Sequence, residues 1–253
     1  MNYKLYHGDC LEKMDYLIQE DIKVDAIITD PPYGTTADKK DLTIDFNKMW
    51  QRLNLLSNPN TPIIIFGCEP FSSHLRISNI KNYKYDWIWI KNKSTNFLNA
   101  KKQPLRKSEF IHVFYKNQCL YNPQKTTGHK PVNSFVKHTS DGNTLGRTKT
   151  GISGGGQTDR YPNNILNFPV INNDNSGKNK FHQNQKPIKL MEYLIKTYSN
   201  ENDLILDFTS GSNSTGIACQ NTNRSFIGIE KDDKYFEIGK NRMDENNLTI
   251  VFQ

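Results

Sequence analysis

The amino-acid sequence predicts an α/β fold in which β/α units build a mostly parallel sheet. Short apolar runs typical of buried strands alternate with stretches that have helical spacing. Two of these runs lead directly into motifs of polar and small residues, and open α/β sheets place their ligand sites at such strand ends. The length of 253 residues suits one large domain of this class with an inserted or appended lobe.

The elements of the amino-terminal half follow from the pattern of apolar residues. Phe46–Leu56 has the spacing of an amphipathic helix. Four apolar runs predict strands, and these are Val24–Thr29, Pro62–Phe66, Tyr85–Ile90 and Phe110–Tyr115. This order predicts parallel strands joined by helices.

Residues 116–180 differ in character from the rest of the chain. Apolar periodicity fades there, and Gly, Asn, Thr and Lys dominate, as in Gly151–Gly156. A structureless segment of this length inside a compact domain is usually functional or mobile. We interpret it as an insertion that is partly disordered without its partner.

Regular structure is predicted again from Lys186. Pro187 suits the first turn of a helix that runs to about Tyr198. The remaining elements are predicted in this order: a strand at Leu204–Asp207, a loop at Phe208–Ser214, a helix from about Thr215, a strand at Ser225–Glu230, a helix across Asp232–Met243 and a final edge strand at Leu248–Phe252.

Charge and composition narrow the class of partner. The net charge is +7, and residues 91–150 hold 12 lysine or arginine residues against two acids, which favours a nucleic-acid partner. The four scattered cysteines indicate neither a metal site nor a disulfide framework. Because no stretch resembles a membrane span or a signal peptide, we expect a cytoplasmic protein without a membrane partner.

The motif Asp30-Pro31-Pro32-Tyr33 directly follows the first predicted strand. The Asp30 carboxylate can accept a hydrogen bond from an amino group. Pro32 restricts Pro31 to an extended conformation, so the Pro31 carbonyl points in a defined direction. Tyr33 offers a flat ring on which a base can stack. The motif therefore suits a planar amine, although a proline turn with a capping aspartate fits these four residues equally well.

A second motif follows the strand that ends at Asp207. The loop contains Gly211 and Ser212 and leads into a helix near Thr215, so backbone can approach a ligand there. Glu230 ends the next strand, where an acid commonly holds a ribose in nucleoside-binding β/α units. A P-loop is excluded because no Gly-Lys-Ser/Thr follows the loop. A flexible turn with Glu230 as a helix cap is the alternative.

Together, these motifs resemble the DNA amino-methyltransferases that use S-adenosylmethionine. The acceptor motif precedes the cofactor loop, as in the permuted group called β. Further similar segments are Trp89-Ile90-Lys91, Pro104-Leu105-Arg106, Glu109, Tyr121-Asn122-Pro123 and His182–Pro187. The cofactor loop departs from the usual pattern at Phe208, Thr209 and Asn213, but Asn tolerates the positive φ that a glycine would supply there.

The resemblance implies a Rossmann-like, doubly wound sheet of the class I methyltransferase type, circularly permuted, with a small irregular target-recognition insertion. Residues 1–115 would form the catalytic half, 116–180 the insertion and 181–253 the cofactor-binding half. It also implies direct methyl transfer to the N6 amine of an adenine flipped out of duplex DNA at a specific site. No metal is implied.

The resemblance also assigns the site residues. The catalytic residues would be Asp30, Pro31, Pro32 and Tyr33. Candidate cofactor-binding residues are Asp9, Cys10, Asp30, His182, Lys186, Asp207, Gly211, Ser212, Asn213, Thr215 and Glu230. Candidate DNA phosphate contacts are Lys91, Lys101, Lys102, Arg106 and Lys107. For Asp9, Cys10, His182 and Lys186, an ordinary loop or surface role is as well supported, and each cation alone fits a solvated charge.

Other functions remain open from the sequence. Cytosine-N4 methylation makes the same demands on the site, although that group more often has Ser at the position of Asp30. Enzymes that methylate RNA or protein glutamine often have Asn there and usually place the cofactor motif first. A catalytically silent DNA-binding homologue is a further class. A cognate restriction endonuclease and the choice between monomer and homodimer also stay open.

Overall fold

A computed structural model describes residues 2–35, 42–137, 152–171 and 185–251. The chain divides into two compact units. The larger unit combines Met1–Asn122 with Asn164–Gln253, and the smaller one is Pro123–Asn163. No helix in the described part of the chain is both long and apolar enough to cross a membrane.

The described elements alternate along most of the chain. In the amino-terminal part they are β1 (Tyr3–His7), α1 (Cys10–Gln19), β2 (Ala26–Thr29), α2 (Phe46–Leu56), β3 (Ile63–Gly67), α3 (Phe71–Ser78), β4 (Tyr83–Thr95) and β5 (Arg106–Phe114). They continue with β6 (Phe135–Lys137), β7 (Ile152–Gly154), β8 (Ile165–Asn167), α4 (Ile188–Tyr198), β9 (Leu204–Asp207), α5 (Ser214–Asn221), β10 (Ser225–Glu230) and α6 (Asp233–Val251).

One mixed sheet organises the larger unit. Its eight strands lie in the order β1-β10-β9-β2-β3-β5-β4-β8, and the first five are mutually parallel. β5 is antiparallel to both β3 and β4. Although β2 and β9 come from opposite halves of the chain, they pair directly through Ile27 and Leu206. The predicted mostly parallel sheet is confirmed.

Helices cover both faces of this sheet because successive strand residues point to opposite sides. One core packs α4, α5 and part of α6 against strand residues such as Ile28 and Ile64. The other packs α1, α2 and α3 against their neighbours Ile27 and Ile65. The α/β, doubly wound arrangement of the prediction is therefore confirmed.

Two expectations from the sequence differ from the structure. The predicted edge strand Leu248–Phe252 is wrong, since α6 continues as helix to Val251, and Phe252 lies outside the described residues. A run of five mostly apolar residues is too short for its periodicity to distinguish a strand from the last turn of a helix. The segment Ile165–Asn167, predicted as part of the insertion, instead pairs in parallel with β4.

Strand pairing, a β-bridge and an ion pair connect the described residues of the smaller unit. β6 and β7 form an antiparallel pair, and Thr126 and Arg160 form a separate bridge. Lys125 and Asp159 form an exposed ion pair with an N–O distance of 2.8 Å. This unit falls within the predicted insertion, 116–180. The expected partial disorder stays a prediction, and residues 138–151 and 172–180 of the insertion lie outside the described ranges.

Candidate active site

The two sequence motifs lie side by side at the carboxyl edge of the sheet. β2 ends at Thr29, directly before Asp30, and the neighbouring parallel strand β9 ends at Asp207. The Thr29 hydroxyl donates to the Asp207 carboxylate at 2.8 Å and lies 2.6 Å from the Thr209 hydroxyl. Residues almost 180 positions apart in the chain are therefore joined by direct hydrogen bonds.

Asp30 is partly exposed, and each of its carboxylate oxygens has a protein partner. The Tyr33 hydroxyl donates to one oxygen at 2.5 Å. The Lys186 ammonium donates to the other, also at 2.5 Å. Pro31, by contrast, is buried. These contacts fix the Asp30 side chain at the end of β2 and leave part of it open to solvent.

Tyr33 is held from two directions. Its ring packs against Phe71 of α3 with the ring centres 5.0 Å apart, and its hydroxyl donates to Asp30. Burial raises the pKa of Tyr33 well above its usual value, and the carboxylates of Asp30 and Glu109 raise it further. Tyr33 is therefore a permanent hydrogen-bond donor to Asp30 in this arrangement, and its use as a stacking platform stays a prediction.

Asp30 belongs to a cluster of four charged residues, the other three of which are largely buried. The cluster consists of Asp30, Lys186, Glu109 and Lys91, and we call it the charge cluster. One Glu109 oxygen pairs with the Lys91 ammonium, and the other lies 3.4 Å from the Lys186 ammonium. The Lys186 ammonium also lies 5.1 Å from the centre of the Phe66 ring. Two cations and two carboxylates thus balance each other.

The pKa values in the charge cluster follow from this balance. Burial would raise the pKa of Glu109, but the Lys186 and Lys91 ammoniums outweigh it and lower that pKa. Burial would lower the pKa of Lys186, yet the carboxylates of Asp30 and Glu109 raise it. Both side chains are therefore ionised across the neutral pH range.

The charge cluster corrects one sequence prediction. Lys91 does not fit the predicted role of phosphate contact, because only 6% of its side chain is exposed and it pairs with Glu109. Glu109 was not predicted as a site residue. A sequence signal for the burial of Lys91 was present in β4, where Trp87, Trp89 and Lys91 alternate on one buried face.

The buried Asp207 carboxylate holds the cofactor loop in place through hydrogen bonds. Its carboxylate accepts the Thr29 hydroxyl, the Thr215 hydroxyl at 2.6 Å and the Thr209 amide at 3.1 Å. The residue is only 3% exposed. Burial raises the pKa of Asp207 to about 6, although these hydrogen bonds act in the opposite direction. Contact between Asp207 and a bound cofactor stays a prediction.

The backbone of the loop turns through two residues in the left-handed region. Gly211 has φ +53°, and a Cβ there would meet open space. Asn213 has φ +58° and caps α5, as expected for an Asn at a position where glycine is usual. Ser212 is buried, and its carbonyl accepts a hydrogen bond from Arg242.

Glu230, at the end of the neighbouring strand β10, binds the backbone of this loop. Its carboxylate accepts the Gly211 amide at 2.8 Å and the Asp232 amide at 2.7 Å. Burial raises the pKa of Glu230 above its usual value. The Gly8 amide donates to the Glu230 carbonyl at 2.9 Å, which brings the start of α1 to the same edge of the sheet.

Asp9 and Cys10 lie at this start of α1. Asp9 caps the helix through the Leu11 amide and pairs with Lys231 at 3.1 Å. The Lys231 ammonium and the helix amides lower the pKa of Asp9 although burial opposes them, whereas burial raises the pKa of the Cys10 thiol to about 12. Of the predicted cofactor residues, only His182 lies outside the described part of the chain.

The carboxyl edge fits a nucleoside that carries an amino-acid tail. Four adjacent strands, β1, β10, β9 and β2, end at or just before Asp9, Glu230, Gly211 and Asp30 respectively. The Glu230 carboxylate suits a pair of ribose hydroxyls. The open space over Gly211 lets a ligand approach the backbone. The buried Ser214 hydroxyl, at the amino end of α5, has no hydrogen-bond partner within the described residues.

The remaining predicted DNA contacts lie on or beside the connection between β4 and β5. Lys101, Lys102 and Lys107 are exposed. Arg106 is half-buried and donates to the Cys68 sulfur at 2.9 Å. Three of the predicted cations therefore remain available to a phosphate backbone. Their contact with DNA stays a prediction.

The fold and the site define a class I methyltransferase, in which a nucleoside cofactor and an acceptor group meet at the carboxyl edge of one sheet. The family model for N6 and N4 DNA methylases matches residues 24–241. The chain belongs to this DNA methylase family.

Individual relatives match nearly the whole chain. The Type II methyltransferase M.HpaI of Haemophilus parainfluenzae is 28% identical over 254 residues, covering 96% of this chain and 75% of that protein. The DNA adenine methyltransferase YhdJ of Escherichia coli (strain K12) is 27% identical, covering 95% and 82%. The crystal structure of the M1.HpyAVI–SAM complex has a TM-score of 0.66 at 28% identity, covering 96% and 99%.

These matches settle the general activity. The protein is a DNA methyltransferase of the N6/N4 family, and its methyl donor is S-adenosylmethionine. The predicted family, fold class and cofactor are confirmed. The circular order is also as predicted, since Asp30 precedes the loop that begins at Asp207.

Proposed function

We propose that the protein methylates the N6 amine of adenine at a specific site in duplex DNA. The observation that carries the proposal is the position of Asp30, a hydrogen-bond acceptor that directly follows the strand beside the Asp207–Thr215 loop. When bound, S-adenosylmethionine supplies a methyl group on a sulfonium, so an amine can displace it directly. No enzyme nucleophile is required.

The residues of the acceptor motif have distinct roles in this proposal. The exocyclic amine donates one hydrogen bond to the Asp30 carboxylate and the other to the Pro31 carbonyl. These bonds favour a pyramidal nitrogen whose lone pair is directed at the methyl carbon. The transfer would form an N–C bond in place of the methyl–sulfur bond of the bound cofactor, and the Asp30 carboxylate would accept the proton that the nitrogen then loses.

Lys186 is the positioning residue for Asp30. A carboxylate has about four acceptor sites, so the bonds from Lys186 and Tyr33 still leave room for the amine. The Lys186 ammonium is itself fixed by Glu109. The same contacts argue against the alternative that Lys186 holds the carboxylate of the cofactor, because its ammonium already lies between two carboxylates.

The choice of adenine rests on Asp30 and on one relative. Asp is typical of the adenine enzymes at this position, and YhdJ is by name an adenine methyltransferase. Cytosine-N4 methylation is the second candidate, since the matching family model covers both amines and the site would bind either. Both bases present the same hydrogens to Asp30 and Pro31.

The DNA-binding part of the proposal has two components. Lys101, Lys102 and Lys107 contact phosphates, and residues 116–180 recognise the target sequence, because this segment is long, polar and basic. Type II relatives such as M.HpaI support a restriction-modification role with a cognate endonuclease. The monomer and the homodimer both remain candidates, and a cytoplasmic location is proposed.

Identification of the methylated nucleoside tests the proposal. The purified protein is incubated with tritiated S-adenosylmethionine and unmethylated genomic DNA, which is then digested to nucleosides. We expect label in N6-methyldeoxyadenosine. Label in N4-methyldeoxycytidine would show that the acceptor base is cytosine and not adenine. DNA binding without any label would favour a catalytically silent homologue.

A further inference from the structure

The connection between β4 and β5 carries two large apolar side chains in solvent. Phe97 is 73% exposed and Leu98 is 85% exposed. We call residues 96–105 the hairpin tip. Leu105, the last residue of the hairpin tip, is 44% exposed. Single exposed apolar residues are ordinary, but an adjacent pair at a turn presents a compact apolar projection.

The backbone of the hairpin tip fixes this pair. Asn96 has φ +70°, in the left-handed region, and Phe97–Asn99 forms one turn of 3₁₀ helix. The Asn99 side chain donates to the Asn96 side chain at 2.8 Å, which closes the turn. The apolar pair therefore stands on a turn that is already ordered.

The hairpin tip extends from the same edge of the sheet as Asp30. β5 is antiparallel to β3, so its first residue, Arg106, lies beyond the carboxyl end of β3 at Gly67. Glu109, three residues further along β5, contacts the lysine that pairs with Asp30. At a rise of about 3.3 Å per residue, the start of β5 beside the tip lies roughly 10 Å beyond Glu109.

Exposed positive charges flank the apolar pair along the chain. No acid occurs between Lys91 and Glu109. The exposed cations of this stretch are Lys93, Lys101, Lys102 and Lys107. An apolar projection on a basic stretch of chain complements a duplex, whose charged phosphates flank an apolar stack of bases. A purely apolar protein partner would gain nothing from these cations.

We propose that Phe97 and Leu98 enter the base stack as a wedge while the target base is turned out toward Asp30. The inference rests on the proposed function, which requires a flipped base. Turning a base out loses stacking and pairing, and an apolar side chain in the gap recovers part of that free energy. Lys101 and Lys102 hold the phosphates beside the gap.

The experiment compares two substrates that differ in the cost of flipping. Once the methylated base is mapped in genomic DNA, it is placed in a synthetic duplex, either opposite its normal partner or opposite an abasic site. The wedge variant is F97A/L98A. The matched control is I77A/I80A, a pair that is also exposed, at 73% and 64%, but lies at the end of α3.

We expect F97A/L98A to lower kcat/KM by about tenfold or more on the paired duplex, since base unstacking costs a few kcal/mol. Most of this loss should disappear on the abasic duplex, where the base is already unpaired. The variant F97L/L98M keeps apolar bulk and should retain activity on both duplexes. The control I77A/I80A should match the wild-type enzyme.

Other outcomes overturn the wedge. An equal loss on both duplexes would mean that the pair contacts DNA or stabilises the tip without filling the gap. No loss on either would show that the tip does not act on the base. These results differ from failure of the proposed function, in which the wild-type protein itself would methylate neither duplex nor genomic DNA.

Discussion

Asp30 and Asp207 occupy equivalent places at the ends of neighbouring parallel strands but differ in every contact. Asp30 is partly exposed and pairs with the charged Lys186. Asp207 is almost fully buried and accepts hydrogen bonds from two threonine hydroxyls and one amide. Burial raises the pKa of Asp207 to about 6, although its hydrogen bonds from Thr215, Thr29 and the Thr209 amide act in the opposite direction.

The difference separates two uses of one residue type. Asp30 keeps acceptor capacity toward an incoming group, and its neighbours hold it in place. The oxygens of Asp207 are used inside the protein, where they fasten Thr29 of the acceptor strand to the cofactor loop. The role of a carboxylate at a strand end is therefore decided by the partners of its oxygens and not by its position alone.

The largest effect is expected at Asp30. D30A removes the acceptor for one amine hydrogen and should lower kcat by about 100- to 1,000-fold, the usual cost of one preorganised transition-state contact. The Kd for DNA should change little. Single-turnover methylation and DNA-binding titrations measure the two quantities. A parallel loss of DNA affinity would contradict the assigned role, and Y33F serves as a control that keeps the carboxylate.

The next effect concerns stability at Asp207. Its carboxyl keeps its proton in the folded chain up to a pKa of about 6, whereas an unfolded aspartic acid ionises near pH 4. Between these values the unfolded state binds fewer protons, so the folded state loses about 3 kcal/mol as the pH rises from 4 to 6. Above pH 6 this cost stays constant.

D207N has no such titration. The free energy of unfolding of D207N minus that of the wild type should therefore rise by about 3 kcal/mol between pH 4 and pH 7. Urea denaturation at the two pH values measures it. The exposed Glu237 gives the control E237Q, which should show no comparable change. A difference independent of pH would contradict the buried, protonated carboxyl.

The smallest effect is expected at Lys186. K186M removes one charged hydrogen bond to Asp30, worth about 1.5 kcal/mol, and should lower kcat about tenfold with little change in KM for DNA. K186R keeps the charge and should restore part of the loss. K91M disrupts the charge cluster without touching Asp30, so it should reduce stability more than kcat. Equal kcat losses in K186M and K91M would show only general destabilisation.

Much of the site was accessible from the sequence because its motifs follow strand ends. Asp30, Asp207 and Glu230 each come directly after an apolar run, and parallel strands bring their carboxyl ends together. The left-handed conformation of Asn213 was also expected from its residue type. Local patterns therefore predicted the strands and the edge at which they meet.

The contacts across the sheet were not accessible in the same way. A count of basic residues cannot show that Lys91 turns inward while Lys93 remains exposed. The ion pair between Asp30 and Lys186 joins residues 156 positions apart, and no local pattern specifies it. Such partners depend on the three-dimensional pairing of strands, as does the antiparallel placement of β5 beside β3.

The side chain of Asn213 links the sequence of the cofactor loop to that of α6. It is buried, and a Cβ on Gly239 of α6 would lie only 2.5 Å from its amide nitrogen. With Asn at 213, a larger residue at 239 therefore forces this buried amide to shift, whereas a chain with glycine at 213 is free of that contact. The two positions are expected to vary together among relatives, and G239A alone should be harmful where G239A with N213G is tolerated.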